Sequence, residues 1–290
     1  MENTFHQNTQ ILGLIGHPIK QSYSPFIQNV SFTLLDMDYI YLPFDVPQSN
    51  LRNALKGMLA LGIKGFNVTI PHKESLVSFL STVSEEAGIV GSVNTVVNDM
   101  GRLIGYNTDV HGVYETLAPY KDEIAGNEVS VIGAGGAARA VIYSLIRHFK
   151  PSSINIINRT EQRAESLKNY FSTKMKFGNF RTFELFPPDL ISLLQSSKVI
   201  INATSVGMFP DIEDSVINLP SAFTKGQIVF DMVYNPPKTT LLKIAEAEGA
   251  IILNGINMLV HQAAKAFELW TNKQMPIDEI RNSLIQYIAE

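Results

Sequence analysis

From Val129 to Leu253, five short apolar runs alternate with stretches of helical periodicity. The runs are Val129–Ile132, Ile154–Asn158, Val199–Asn202, Ile228–Asp231 and Ile251–Leu253, and the helical stretches include Ala137–Phe149 and Glu161–Phe171. Strands joined through helices cross over and lie parallel, which restricts this half of the chain to an α/β fold. An earlier series of strand-like runs comprises Gln10–Ile15, Asp38–Pro43, Lys64–Ile70, Ser92–Asn98 and Arg102–Gly105. A helical stretch, Val110–Tyr120, and a polar break at 121–127 separate the two series. Two further helical stretches, Asn257–Thr271 and Ile277–Ala289, have no strand after them and are expected to cap a domain. A length of 290 residues is enough for two domains.

Composition removes whole classes of function. With no cysteine, the chain has no disulfide, thiolate nucleophile, iron–sulfur cluster or cysteine zinc site. The six histidines are scattered without metal-ligand spacing, so no metal is expected. A net charge of −4 provides no basic field for nucleic acid or anionic lipid, so any anion must be held by local groups. The N-terminus is polar and acidic, and no apolar run reaches membrane-spanning length. A cytoplasmic protein is the expectation.

The run Val129–Ile132 leads into Gly133-Ala134-Gly135-Gly136-Ala137 and then a helix of small residues. Gly133 permits a tight turn, Gly135 lets backbone approach a pyrophosphate, and Ala138 allows the helix to pack close to the strand. Free N–H groups at the helix start suit phosphate oxygens. An enzyme for NAD places an acidic residue at the end of the next strand, about 20 residues on. Here that strand ends in Asn158-Arg159-Thr160, with Arg163 one turn later, and two arginines suit a 2′-phosphate. The site therefore reads as one for NADP(H). The segments beginning Asn202-Ala203-Thr204 and Asp231-Met232-Val233-Tyr234, with Asn254-Gly255, follow later strands and could line a nicotinamide pocket. Taken singly, each is equally explained by packing or turn chemistry.

In the first half, residues 65–74 place polar groups where an apolar strand ends. Extended backbone sends Asn67 and Thr69 to one face and Phe66, Val68 and Ile70 to the other. Pro71 ends the strand and is expected to project His72 and Lys73 past its edge. Taken alone, this is a wet-faced antiparallel strand followed by a surface lysine. Ser22 and Ser24 flank a helix start and could bind a carboxylate, although Ser24 as N-cap before Pro25 is the competing reading. Asn94 is expected within a strand, and Asp109 precedes the connecting helix, where it too could be an N-cap.

The motifs Gly-His-Pro-Ile-Lys-Gln-Ser-Tyr-Ser-Pro (16–25), Asn-Val-Thr-Ile-Pro-His-Lys (67–73), Val-Asn-Thr (93–95), Asn-Thr-Asp (107–109), Gly-Ala-Gly-Gly-Ala (133–137), Asn-Arg-Thr (158–160) and Met-Leu-Val-His-Gln (258–262) together resemble the shikimate dehydrogenase family, with its quinate/shikimate relatives. The resemblance implies NADPH-dependent reduction of 3-dehydroshikimate to shikimate. It implies an α/β protein of two domains: an N-terminal substrate domain (1–109 and 256–290) and a Rossmann-like NADP-binding domain with a parallel sheet (110–255), with the active site in the cleft between them. By the family pattern, Ser22 and Ser24 bind the substrate carboxylate. Asn67, Thr69, Asn94 and Gln262 bind its hydroxyls or ring edge, and Lys73 with Asp109 the reacting oxygen. Tyr234 is a further substrate contact, and Met232 and Gly255 match cofactor positions. Either a monomer or a homodimer is expected.

These residue types suit the chemistry. Hydride addition to a ketone leaves a developing alkoxide that needs positive charge and a proton, and a lysine ammonium supplies both. Gln28, Val110 and Asn257 depart from the family's usual histidine, glycine and glycine. Three alternatives stay open at this point: a quinate/shikimate enzyme that also accepts NAD, a non-catalytic metabolite sensor, and a different lysine-bearing Rossmann enzyme such as a folate dehydrogenase. The last leaves the paired serines unexplained.

Overall fold

A computed structural model of the chain describes residues 6–19 and 22–289. The polar N-terminal segment 1–5, and Lys20 and Gln21 of the 16–25 motif, lie outside the described residues. In chain order the first half contains β1 (Gln10–Gly16), α1 (Ser24–Leu34), β2 (Tyr39–Asp45), α2 (Leu51–Ala60), β3 (Gly65–Val68), β4 (Thr82–Val83), α3 (Glu85–Val90), β5 (Thr95–Asp99), β6 (Arg102–Tyr106) and α4 (Asp109–Leu117). Then follow α5 (Lys121–Ile124), β7 (Glu128–Ile132), α6 (Gly136–Ser144), β8 (Ser153–Asn158), α7 (Glu161–Met175), β9 (Phe180–Glu184), α8 (Leu190–Ser196) and β10 (Val199–Asn202). The chain ends with β11 (Ile228–Asp231), α9 (Thr240–Ala247), β12 (Ile251–Leu253), α10 (Gly255–Thr271) and α11 (Ile277–Ala289). Two compact units result, residues 1–111 with 260–290, and residues 112–259.

The first unit is built on a mixed six-stranded sheet in the order β2-β1-β3-β5-β6-β4. β1 pairs in parallel with β2 and β3, while β5 runs antiparallel to β3 and β6. Val68, Phe66, Val93 and Val96 pack with Leu51, Leu55 and Leu76 beneath it. Burial of such side chains contributes about 1.5–3 kcal/mol each.

The second unit has a wholly parallel sheet in the order β12-β11-β10-β7-β8-β9. Numbered within the unit, this is 3-2-1-4-5-6 read from β9, the doubly wound dinucleotide-binding order. The order reverses between β7 and β10, where such sheets open a crevice at their carboxyl ends. Ile132, Ile200 and Val229 pack with Leu193, Leu194, Leu241 and Leu242 in its core.

Several expected boundaries shift for physical reasons. The run 64–70 is a strand only over Gly65–Val68, since Thr69 and His72 close a turn through His72 N to Thr69 O. Asn94 stands one residue before β5, its side chain bonded to the 108–109 turn. Two strands were not anticipated. β4 has two residues, too few for a periodicity, and β9 is an edge strand carrying Arg181 and Glu184. Among the described residues, no helix is long and apolar enough to cross a membrane.

Candidate active site

In the first unit, the end of β3 sets the geometry. His72, past the edge of β3, is fully buried and holds a structural position, with Nε2 2.6 Å from Val46 O. Its ring anchors the turn after Pro71 and so fixes the adjacent Lys73. Lys73 Nζ donates to Asp109 Oδ2 at 2.6 Å, and the lysine side chain is 18% exposed against 7% for the aspartate. The second carboxylate oxygen accepts from Asn94 Nδ2 at 2.8 Å. Asp109 is thus occupied by lysine and amide donors. Its side chain serves this pair rather than capping α4, which overturns the N-cap reading.

Behind the pair runs a continuous hydrogen-bond network. Asn94 Nδ2 also donates to Thr108 Oγ1 (3.0 Å), and Asn94 Oδ1 accepts from Thr108 N (2.7 Å). Thr95 Oγ1 lies 3.0 Å from Thr108 Oγ1 and accepts from Asn67 Nδ2 at 2.9 Å. Asn67 Nδ2 also donates to Asn94 O (3.1 Å), and Asn67 Oδ1 accepts from the buried Tyr41 hydroxyl at 2.8 Å. The wet-faced strand expected at β3 is therefore a buried polar strand whose groups satisfy one another. Both amide hydrogens of Asn67, and both of Asn94, are used within the protein. A buried polar group left without its partner costs about 1–3 kcal/mol, so this network holds Asp109 firmly.

Thr69 differs: it is half-buried, and among the described residues its hydroxyl has no hydrogen-bond partner. Gly16 positions it, because a Cβ at 16 would lie 2.3 Å from Thr69 Cγ2. Helix α1 begins at Ser24 with Tyr23 as N-cap and no side-chain cap, so Ser24 is not the N-cap. Ser22 Oγ instead donates to Ser24 Oγ (3.2 Å) and accepts from Ser24 N (3.3 Å), and among the described residues no acceptor takes the Ser24 hydroxyl hydrogen. Gln262 is buried on α10, beside Ala263. Gln28 of α1 donates to Ala263 O at 3.1 Å and ties these two helices together. Val110 is buried, and Asn257 is exposed.

In the second unit, Gly133 ends β7 with φ of +114°, and a Cβ there would meet Thr204 Cγ2 at 3.0 Å and Ala203 O at 3.1 Å. At Gly135, the N-cap of α6, an added Cβ would meet nothing within 4 Å. That opening faces the first turn of α6, whose N–H groups lack intrahelical acceptors, and it leaves room for an anion to reach backbone at Gly135, Gly136 and Ala137. Ala138 is fully buried, as close packing of α6 on the sheet requires.

At the end of β8, Asn158 Nδ2 donates to Thr160 O at 2.8 Å. Arg159 and Arg163 are exposed, and no carboxylate among the described residues pairs with them. Two unneutralised cations at a helix N-terminus are unfavourable without an anion. Their charge, with the open glycine turn, fits a dinucleotide carrying an extra phosphate. Thr204 Oγ1 donates to Asn202 Oδ1 at 2.7 Å, and Met232 O packs on Gly255, where a Cβ would come within 2.2 Å. Tyr234 lies half-buried just after β11.

Comparison with known proteins decides the family. Residues 14–96 match the shikimate dehydrogenase substrate binding domain, residues 116–246 match shikimate/quinate 5-dehydrogenase, and residues 255–285 match the shikimate 5'-dehydrogenase C-terminal domain. A shikimate dehydrogenase (NADP(+)) from Caldanaerobacter subterraneus subsp. tengcongensis is 43% identical over 284 residues, covering 95% of this chain and 98% of the relative. The chain belongs to the shikimate dehydrogenase family. A family member solved in complex with NADP+ superposes with a TM-score of 0.92 at 36% identity, covering 99% of this chain and 98% of that one. The shikimate 5-dehydrogenase of Listeria monocytogenes, solved with shikimate and NAD, gives a TM-score of 0.87 at 36% identity, covering 98% of this chain and 99% of that one.

Within this shikimate dehydrogenase family fold, Tyr41, Thr95 and Thr108 hold Asn67 and Asn94 in the first unit, and Asn202 and Asp231 hold the loops after β10 and β11 in the second; sequence quoted the last two only as heads of their segments, with no role of their own. Thr95 and Thr108 sit inside two quoted motifs. Asn202 and Asp231 could have been found as the polar residues that close two otherwise apolar strands.

Proposed function

We propose that the chain catalyses NADPH-dependent, reversible reduction of 3-dehydroshikimate to shikimate, as an enzyme of small-molecule metabolism with no nucleic acid or membrane partner. The observation that carries this reading is the Lys73–Asp109 contact at 2.6 Å, backed by Asn94 and a buried polar network. NADPH, when bound, supplies the hydride. Gly133, Ala134, Gly135, Gly136 and Ala137 hold its pyrophosphate, and Asn158, Arg159, Thr160 and Arg163 its 2′-phosphoryl end. Thr204, Met232 and Gly255 border its nicotinamide half.

Reduction of a ketone places negative charge on its oxygen. The Lys73 ammonium stabilises that charge and donates the proton, and Asp109 keeps the ammonium aimed. Ser22 and Ser24 donate to the substrate carboxylate, while Thr69 and Gln262 orient the ring; Asn94, with both amide hydrogens used, acts by holding the Asp109 carboxylate. Asn67, with both amide hydrogens already used, acts by holding Thr95 and Asn94 in place. Loss of NADPH absorbance on adding 3-dehydroshikimate to the purified chain tests the proposal. No loss, with both ligands bound, would favour a metabolite sensor.

A further inference from the structure

The Asp231 carboxylate is fully buried in the second unit and takes no part in the chemistry proposed above. It ends β11, next to β10, whose neighbour on the other side is β7 with its glycine turn. A buried carboxylate is costly unless it is paired, and no cation pairs with this one among the described residues. Three donors converge on it instead. Asn202 Nδ2 (2.9 Å) and Val233 N (3.0 Å) donate to Oδ1, and Thr239 Oγ1 (2.6 Å) donates to Oδ2.

Each donor belongs to a different piece of backbone. Asn202 closes β10, and its Oδ1 holds Thr204 through both N (3.0 Å) and Oγ1 (2.7 Å). Val233 follows Met232, whose carbonyl packs on Gly255. Thr239 is the N-cap of α9, accepting from Leu242 N at 3.3 Å. The loop after β10 in turn abuts Gly133, so one carboxylate fixes the loops after β10 and β11 beside the glycine turn. These loops lie at the carboxyl ends of the strands flanking the topological switch point, where doubly wound sheets bind dinucleotides.

We infer that Asp231 is a positioning residue for dinucleotide binding, its carboxylate fixing Thr204 and Met232 at the border of the glycine turn. The inference rests on the NADP(H) reading above. An aspartate suits the position because it accepts on both oxygens. An asparagine would keep the bonds from Asn202 and Val233 but present its NH2 to Thr239 Oγ1, reversing that bond and taking the acceptor away from the Thr239 hydroxyl hydrogen.

The test is calorimetric titration of the full chain with NADP+ and, separately, with shikimate, for wild type, Asp231→Asn and Asp231→Ala. Loss of the positioning carboxylate is expected to weaken NADP+ about tenfold or more in Asp231→Ala and about threefold in Asp231→Asn, with shikimate affinity held within about twofold in both. A merely structural carboxylate would lower thermal stability while leaving both affinities at wild-type values, and that result overturns the inference. If Asp231→Ala does not fold, Asp231→Asn decides, and wild-type NADP+ affinity in that variant is equally contrary. Failure of the wild type itself to bind NADP+ would instead remove the cofactor reading, and the inference with it.

Discussion

Lys73 Nζ and Asp109 Oδ2 stand 2.6 Å apart, and the other oxygen of that carboxylate is held by Asn94 Nδ2 at 2.8 Å. The ammonium therefore has one N–H committed to a fixed acceptor, and among the described residues its remaining hydrogens have no side-chain partner. A solvated surface lysine would be free to rotate, whereas this one is oriented from behind by a network reaching back to Tyr41. General acids in such positions contribute about 10²–10⁴-fold to rate.

Lys73→Ala should accordingly lower kcat by about 10²–10⁴-fold while leaving NADP+ affinity at its wild-type value. Steady-state kinetics together with NADP+ titration check both halves. A near-normal kcat would remove Lys73 from the chemistry.

Arg159→Ala separates the two cofactors. Loss of a charge-assisted bond to the 2′-phosphate should weaken NADPH by about one to two orders of magnitude and NADH hardly at all. Equal losses for both nucleotides, measured by fluorescence titration, would contradict the assignment of Arg159 to the phosphate.

The two glycines of the turn should respond differently to alanine. Gly135→Ala adds a methyl to open space, so the melting temperature should hold while NADP+ binding weakens. Gly133→Ala forces a side chain onto φ of +114° against Thr204 and Ala203. It should cost about 1–3 kcal/mol, and with about 2–4 °C lost per kcal/mol in a chain of this size, melting should drop visibly. Equal thermal shifts in the two variants would contradict this reading of the turn.

Asp231 also gives stability a pH dependence of definite sign. Burial raises its pKa from 3.8 to about 6, against the pull of the Thr239, Val233 and Asn202 donors. Between those values the native state holds a proton that the unfolded chain has released, so the contribution is fully present below the lower value and is lost as pH rises through the upper one. Roughly 3 kcal/mol is at stake. Urea midpoints of wild type relative to Asp231→Asn should fall between about pH 4 and pH 7. A difference that stays flat across that range would show the carboxylate to be unperturbed.

Sequence alone conveyed the second unit well, because buried parallel strands separated by helices leave a strong periodic record. β9 escaped because an edge strand carrying Arg181 and Glu184 looks like any polar stretch. The catalytic candidates were legible as residue types, yet their surroundings were not. Alternation could say that Asn67 and Thr69 share a face, but only packing shows the first saturated by Tyr41, Thr95 and Asn94 and the second with no hydroxyl partner among the described residues. The capping readings of Ser24 and Asp109 failed for the same reason. A local rule named a partner within the next turn, while the partners used by Asp109 lie 36 and 15 residues earlier in the chain. Asp231 was invisible as a hub because its three donors meet only after β10, β11 and α9 come together.

Steady-state kinetics of the purified chain with shikimate and with quinate, each against NADP+ and NAD+, bear most directly on the proposed activity. Shikimate with NADP+ should give the highest kcat/KM of the four pairs. A preference for quinate or for NAD+, or no turnover with any pair, would contradict it.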